Sequence, residues 1–226
     1  MGPRPATATS NRGAAPGSFR GWPDAAVEFF ERIEVDNTKT FWMANKPTYE
    51  SAVLAPMLAL LSELAAEFGE GRVFRPYRDT RFATDKRPYK TNLGAHNDAG
   101  YISFSASGLG VGTGLYMPSP SQLARYRAAV ANERSGEALA AIVAELRSKD
   151  IEVSGHAVLK TAPRGFDREH PRIDLLRQKG LTAWREWPAG AWLGSAAAKK
   201  RVVNFLRDAA PLRSWLAHET GAGDDR

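Results

Sequence analysis

Apolar residues between Asp24 and Glu34 recur at helical spacing, with Val27, Phe30 and Ile33 on one face and Asp24 placed to cap the start. After a turn and a short helical piece, "DNTKTFWMANKP", a longer helix is predicted from Pro47, a residue that loses nothing at a first helical position. Leu54, Met57, Leu58, Leu61, Leu64, Ala65 and Phe68 give it a broad apolar stripe. Pro56 should kink or split it, and Gly69 should stop it. The period then changes. "VFRPYRDTRF" alternates, with Phe74, Pro76, Arg78, Thr80 and Phe82 on one face and Arg75, Tyr77, Asp79 and Arg81 on the other. "YISFSAS" and "GVGTGLYM" read as two further strands.

Ser119, Pro120 and Gln122 spell a capping box, and the helix they open buries Leu123, Tyr126 and Val130. The next helix carries Leu139, Ile142, Val143 and Leu146. Short strands are expected at Ile151–Val153, Ala157–Lys160 and Leu181–Trp187, with a helix from Pro171 to Gly180 between the last two. A final helix or helix pair runs from Ser195 to His218, interrupted at Pro211. Helices first, strands next and mixed elements last, with no repeating βαβ rhythm, favour an α+β fold with a mainly antiparallel sheet. The expectation is a single domain over residues 19–218, packed with helices from both ends of the chain, between disordered tails at 1–18 and 219–226.

Composition narrows the classes. The chain has 226 residues, 43% of them hydrophobic, enough for a sizeable core. No unbroken apolar run reaches the roughly eighteen residues of a membrane span, and the first residues lack a secretory apolar region, so a cytoplasmic protein without membrane contact is expected. Cysteine is absent, which removes disulfides, thiolate nucleophiles and cysteine-bound metal centres. His96, His156, His170 and His218 show no ligand pairing, and no nucleophile elbow occurs, so neither a metal nor a cofactor is expected and catalytic residues stay unassigned. Gly108, Gly110, Gly112 and Gly114 alternate and match no phosphate-binding fingerprint. In a strand they bare one face, so a ring, helix or ligand can approach the backbone there.

Charge singles out one stretch. "RPYRDTRFATDKRPYKT", residues 75–91, carries +4 of the chain's net +6. On a strand, Asp79 and Arg81 share a face and can pair, while Arg78 lies on the apolar side and must meet a carboxylate or an anion. Pro88 stiffens the turn that presents Lys86, Arg87 and Lys90, and pre-set cations lose less entropy on meeting an anion. Three readings follow. Arg78, Arg81, Lys86 and Lys90, with Tyr89 beside them and Asp79 and Asp85 orienting them, line a basic pocket for a phosphorylated or carboxylated small molecule. Alternatively, the same charges with Tyr77 and Tyr89 bind nucleic acid. Or the segment is a salt-bridged structural loop of a scaffold or interaction module, for which six tryptophans supply interface candidates. A second basic cluster, Lys160, Arg164, His170 and Arg172, either completes an anion pocket or is a solvated helix entrance.

The residues of this block also carry a resemblance. Arg78, Asp79, Arg81, Phe82, Asp85, Lys86, Pro88, Tyr89, Lys90 and Thr91 are similar to the R-D-x-R-F-x-x-D-K-x-P-Y-K-T hallmark of domain-of-unknown-function family 2461. "FWMANKPTYE", "GVGTGLYMP", "LKTAPRGFDREHPRIDLLRQKGL" and "PLRSWL" extend the likeness across residues 19–218, while "GAHNDAGY" departs by a shorter turn. The resemblance implies a soluble, single-domain protein of a family with no agreed activity, and no catalytic residue is carried over from it.

Overall fold

Three aromatic rings organise the first half of the molecule, for which a computed structural model describes residues 17–81 and 84–221. The N-terminal elements are α1 (Asp24–Val35), α2 (Lys39–Thr48), a π-helical turn (Tyr49–Leu54) and α3 (Ala55–Phe68). The strands β1 (Arg72–Val73), β2 (Asn92–Asn97), β3 (Gly100–Ser105) and β4 (Gly108–Leu115) follow. Then come α4 (Pro120–Ala131), α5 (Glu133–Ser148), β5 (Glu152–Ser154), α6 (Ile173–Leu176), β6 (Leu181–Pro188), α7 (Ala197–Asp208) and α8 (Ala210–Thr220). The class is α+β, with an antiparallel sheet ordered β1-β2-β3-β4-β6-β5. By compactness the chain divides in two: one unit runs up to Val111 and adds Glu186–Val203, the other comprises Gly112–Arg185 and the chain from Asn204.

In the first unit Trp22 stacks on Phe104 of β3 at 4.7 Å, and Phe30 of α1 closes on the same ring at 5.9 Å. Ile33, Leu60, Leu64, Leu93 and Ile102 fill in around them, all fully buried. Glu63 of α3 accepts from the Phe19 amide and from Lys199, which fixes the start of the chain to two helices. β2 was not among the expected strands. Its sequence, Asn-Leu-Gly-Ala-His-Asn, has no β-branched residue, yet it pairs with β3 at every position from Asn92↔Ser105 to Asn97↔Gly100. The Asn97 side chain accepts from the Ala99 and Gly100 amides and so builds the tight connection.

Proline placement differs from the expectation. Pro47 lies inside α2 rather than at its start; the start is capped by Thr38, whose hydroxyl accepts from the Phe41 amide. Pro56 does not split the helix. It sits in the first turn of α3, directly after the π turn, where the Ala55 amide donates to Glu50 five residues back. A proline ring clashes with the carbonyl four residues earlier, and widening the turn keeps the chain helical. The helix is therefore continuous from Lys39 to Phe68, 30 residues, with a mean hydropathy of 1.5 over its most apolar stretch. Run length alone does not show this, because charged residues interrupt the apolar runs while the mean over the window stays high. It is long and apolar enough to cross a membrane, yet its stripe of Trp42, Val53, Met57, Leu60 and Leu64 is buried within its own unit.

In the second unit the capping box at α4 forms in full: Ser119 accepts from the Gln122 amide, and the Gln122 side chain accepts from the Ser119 amide. Tyr126 of α4 meets Trp215 of α8 edge-on at 6.2 Å and donates to the Leu175 carbonyl, while Trp215 donates to Ser135 of α5. β5 pairs antiparallel with β6, Val153 opposite Ala183. The strand expected at Ala157–Lys160 is reduced to a single bridge, Val158↔Gln178, and the helix expected from Pro171 shrinks to the four residues of α6. α8 extends through Thr220, a buried residue whose hydroxyl donates to Leu216. The expected tails otherwise fall on residues 1–16 and 222–226, outside the described residues. Of the alternating glycines, Gly112 abuts the Trp184 ring and Gly108 abuts the Trp187 carbonyl, so the bare face receives a ring and a neighbouring backbone.

Candidate functional site

The basic segment is an interrupted hairpin rather than one long strand. β1 pairs with β2, and the Phe74 amide still donates to Gly94. Pro76, having no amide hydrogen, then appears only as an acceptor, from Lys90 at 2.8 Å, and Arg78 donates to Pro88 at 2.8 Å across a lone Tyr77↔Tyr89 bridge. On its other side Tyr89 is held by Asn37, whose carbonyl accepts from the Tyr89 amide at 2.9 Å and whose amide donates back to Tyr89 at 3.1 Å. Asn37 also donates to Ile33, so one side chain ties the hairpin to the end of α1. Phe82 and its expected place on the apolar face lie outside the described residues.

An aromatic floor supports the hairpin. Trp42 lies parallel to Tyr89 at 4.6 Å and meets Tyr49 at 4.9 Å and Tyr77 at 5.8 Å. Tyr89 is buried, so its contribution is this floor and not a ring offered to solvent. Burial first, and Tyr77 second, push the Tyr49 and Tyr89 hydroxyls up, so both stay protonated. Among the described residues the buried Trp42 indole N–H finds no acceptor.

Most of the cations are engaged by the chain's own groups. Arg81 grips Asp79 with two hydrogen bonds, 3.0 and 2.7 Å, the pairing expected from the sequence, although neither residue lies in a strand. Arg78 finds Asp85 seven residues on, and Asp85 is shared with Arg87 at 2.8 Å. Lys86 donates to the Thr80 carbonyl at 3.1 Å. Arg81 is committed to Asp79 and Lys86 to backbone, and both are exposed. Lys90 differs. It is half-buried, its Nζ lies 5.4 Å from the centre of the Phe74 ring, and among the described residues neither it nor Arg75 forms a salt bridge, although Arg75 is near enough to Asp79 to help lower its pKa. Burial, then Arg75, then Arg78 lower the Lys90 pKa.

Arg81 holds the Asp79 carboxyl at about 2, and Arg87, with Arg78 behind it, pushes Asp85 well below the usual carboxylate range. For such depressed acids the link is complete above the unfolded value of 3.8 and is lost as pH falls through the folded one. A carboxyl NMR titration should accordingly give Asp79 a midpoint near 2; a midpoint at or above 3.8 would show the Arg81 pair to be open in solution.

The second cluster, described within its own unit, has a structural task. Arg172 donates to the Val130, Ala131 and Asn132 carbonyls and closes the C-terminal end of α4, and His170 accepts from the Arg172 amide. Lys160 and Arg164 are exposed. A cleft of about 690 Å³ in this unit, lined by Arg125, Asn132, Arg134, Trp215, His218 and Glu219, includes none of the expected site residues. Among the described residues no group of three or more histidines or acids is placed to hold a metal ion.

Sequence reasoning passed over Asn37, Trp42 and Arg75. Trp42 sits in "FWMANKPTYE", one of the stretches that carry the resemblance, and Arg75 sits inside the basic stretch itself; nothing local marks Asn37. No curated protein and no solved structure matches the chain. Residues 25–215 match the family described as conserved hypothetical protein, domain of unknown function 2461, and the chain belongs to that family.

Proposed function

We propose that the hairpin binds a phosphate- or carboxylate-bearing small molecule through Lys90, Arg75 and Arg78. One observation carries this reading: a half-buried lysine without a salt-bridge partner among the described residues lies beside two arginines, and Asp85, the acid that pairs with Arg78, is already divided between Arg78 and Arg87. Like charges held together in a partly desolvated place raise each other's free energy, and an anion relieves all three at once. The Trp42–Tyr89 stack and the Asn37 clamp keep the cradle rigid, which lowers the entropic cost of binding. Metabolites of this kind are concentrated in the cytoplasm, where this reading places the protein.

Thermal shift at low salt with inorganic phosphate, sulfate, nucleotides and sugar phosphates tests the proposal. A ligand present at a hundred times its Kd should stabilise the fold by about 2.7 kcal/mol. The stabilisation should vanish in the Arg75→Ala, Lys90→Ala double variant, and absence of any shift in the parent overturns the reading. A second reading, single-stranded nucleic acid, draws on Tyr77 and Phe74, which are 47% and 41% exposed beside the same cations. It requires oligonucleotide affinity that falls linearly with salt on logarithmic axes, where a small anion shows a shallow slope.

A further inference from the structure

We infer that the cleft between α4, α5 and α8 is a second ligand site, shaped for a small organic anion with a flat apolar body, an aromatic carboxylate or sulfonate. The cleft lies wholly within the second unit, and the inference does not rest on the hairpin.

Size and lining define the body of the ligand. The cleft holds about 690 Å³, inside the roughly 300–1,000 Å³ of small-molecule sites. Ala128 and Ala129 of α4 and Ala138 of α5 face it, so methyl groups stand where longer side chains would close the gap. Trp215 of α8 forms the inner wall and is only 8% exposed. Its ring meets Tyr126 edge-on, and its indole N–H donates to the Ser135 carbonyl at 3.0 Å. The wall is therefore fixed before a ligand arrives, which lowers the entropic cost of binding. A slot walled by methyl groups and a held indole suits a flat apolar molecule.

Charge defines the other end. Arg125 and Arg134 line the cleft with His218 beside them, and the one acid in the lining is Glu219. Among the described residues no carboxylate pairs with either arginine. Arg125 is also pre-set. Its Nε donates to the Thr220 carbonyl at 2.5 Å, at the end of α8, and its two terminal nitrogens bond nothing among the described residues. Closing the helix end uses one nitrogen and leaves the pair that grips a carboxylate or sulfonate side by side. A lysine in this place would offer a point charge without that fork.

Anilinonaphthalenesulfonate, a fluorescent aromatic sulfonate, is the probe, and phenylnaphthylamine, the same rings without the charge, is its control. Both are titrated into the full chain by fluorescence, with calorimetry to give the sulfonate's stoichiometry. The expected result is one sulfonate bound per chain, an affinity about tenfold lower in Arg125→Ala, and no change for the neutral control. Glu219→Gln should strengthen sulfonate binding, and Ala138→Phe, at an exposed position, should weaken both molecules by filling the slot. Arg134 is exposed and makes no bond among the described residues, so Arg134→Ala carries the charge test if Arg125→Ala unfolds. The Arg75→Ala, Lys90→Ala variant should bind the sulfonate as the parent does; loss of binding there puts the probe on the hairpin and overturns the inference. If the arginine variants leave the sulfonate unaffected, or weaken sulfonate and control alike, the arginines do not read the charge and the inference fails. Binding that appears only after Ala222–Arg226 are removed also overturns it, because the cleft then belongs to the chain's own Asp224 and Asp225.

Discussion

Trp42→Ala is expected to destabilise the protein by about 3–5 kcal/mol, the usual cost of removing a large ring from a packed core. Trp42 is 2% exposed and touches Phe29, Tyr49, Tyr77 and Tyr89, so alanine leaves a cavity that four aromatic rings cannot jointly close. The loss should register as a fall in denaturant midpoint at unchanged slope. It should also be felt at the site: with its floor gone, the Tyr89 bridge loosens and the Tyr89 amide exchanges faster. Trp42→Phe separates two contributions. It keeps a flat ring on Tyr89 and removes an indole N–H whose unsatisfied burial costs about 1–3 kcal/mol, so a net loss under about 1.5 kcal/mol is expected. Should phenylalanine prove as costly as alanine, the indole N–H has an acceptor in solution.

Gly108→Ala should cost about 3 kcal/mol or more, through two mechanisms that a companion variant resolves. Gly108 has φ +133°, where a side chain is strained by about 1–3 kcal/mol, and a Cβ there would collide with the Trp187 carbonyl and the backbone at Pro188 and Ala189. Neither partner is a flexible side chain. The Ala189 amide bonds Ser107, so β6 cannot withdraw without breaking that link. Gly165 has φ +90° with nothing near its missing Cβ, so Gly165→Ala reports strain alone, about 1 kcal/mol. Equal losses at the two positions would show that the strands part easily and that the close approach at Gly108 contributes nothing.

Features that depend on residues a turn or two apart were legible: the Ser119 capping box, the α1, α4 and α5 stripes, the β3 alternation and the pairing of Asp79 with Arg81. Features that depend on a distant partner were not. β2 looks like a loop until β3 lies beside it, and "VFRPYRDTRF" looks like a strand until Pro76 and Pro88 leave it a single bridge. Local alternation cannot report whether a second chain segment is present to accept the hydrogen bonds.

The same division runs through the candidate site. Composition and spacing alone established that like charge is crowded between Arg75 and Lys90, that Arg78 needs a partner, and that cysteine chemistry is excluded. Which cations are left without an acid was decided only in three dimensions, because Asp85 can answer Arg78 and Arg87 together once the loop folds back. Burial of Lys90 beside Arg75, and the Trp42 floor beneath Tyr89, likewise come from segments brought together by packing. Charge is a property of the residue, but its free energy is a property of the surroundings, and those exist only in the folded chain.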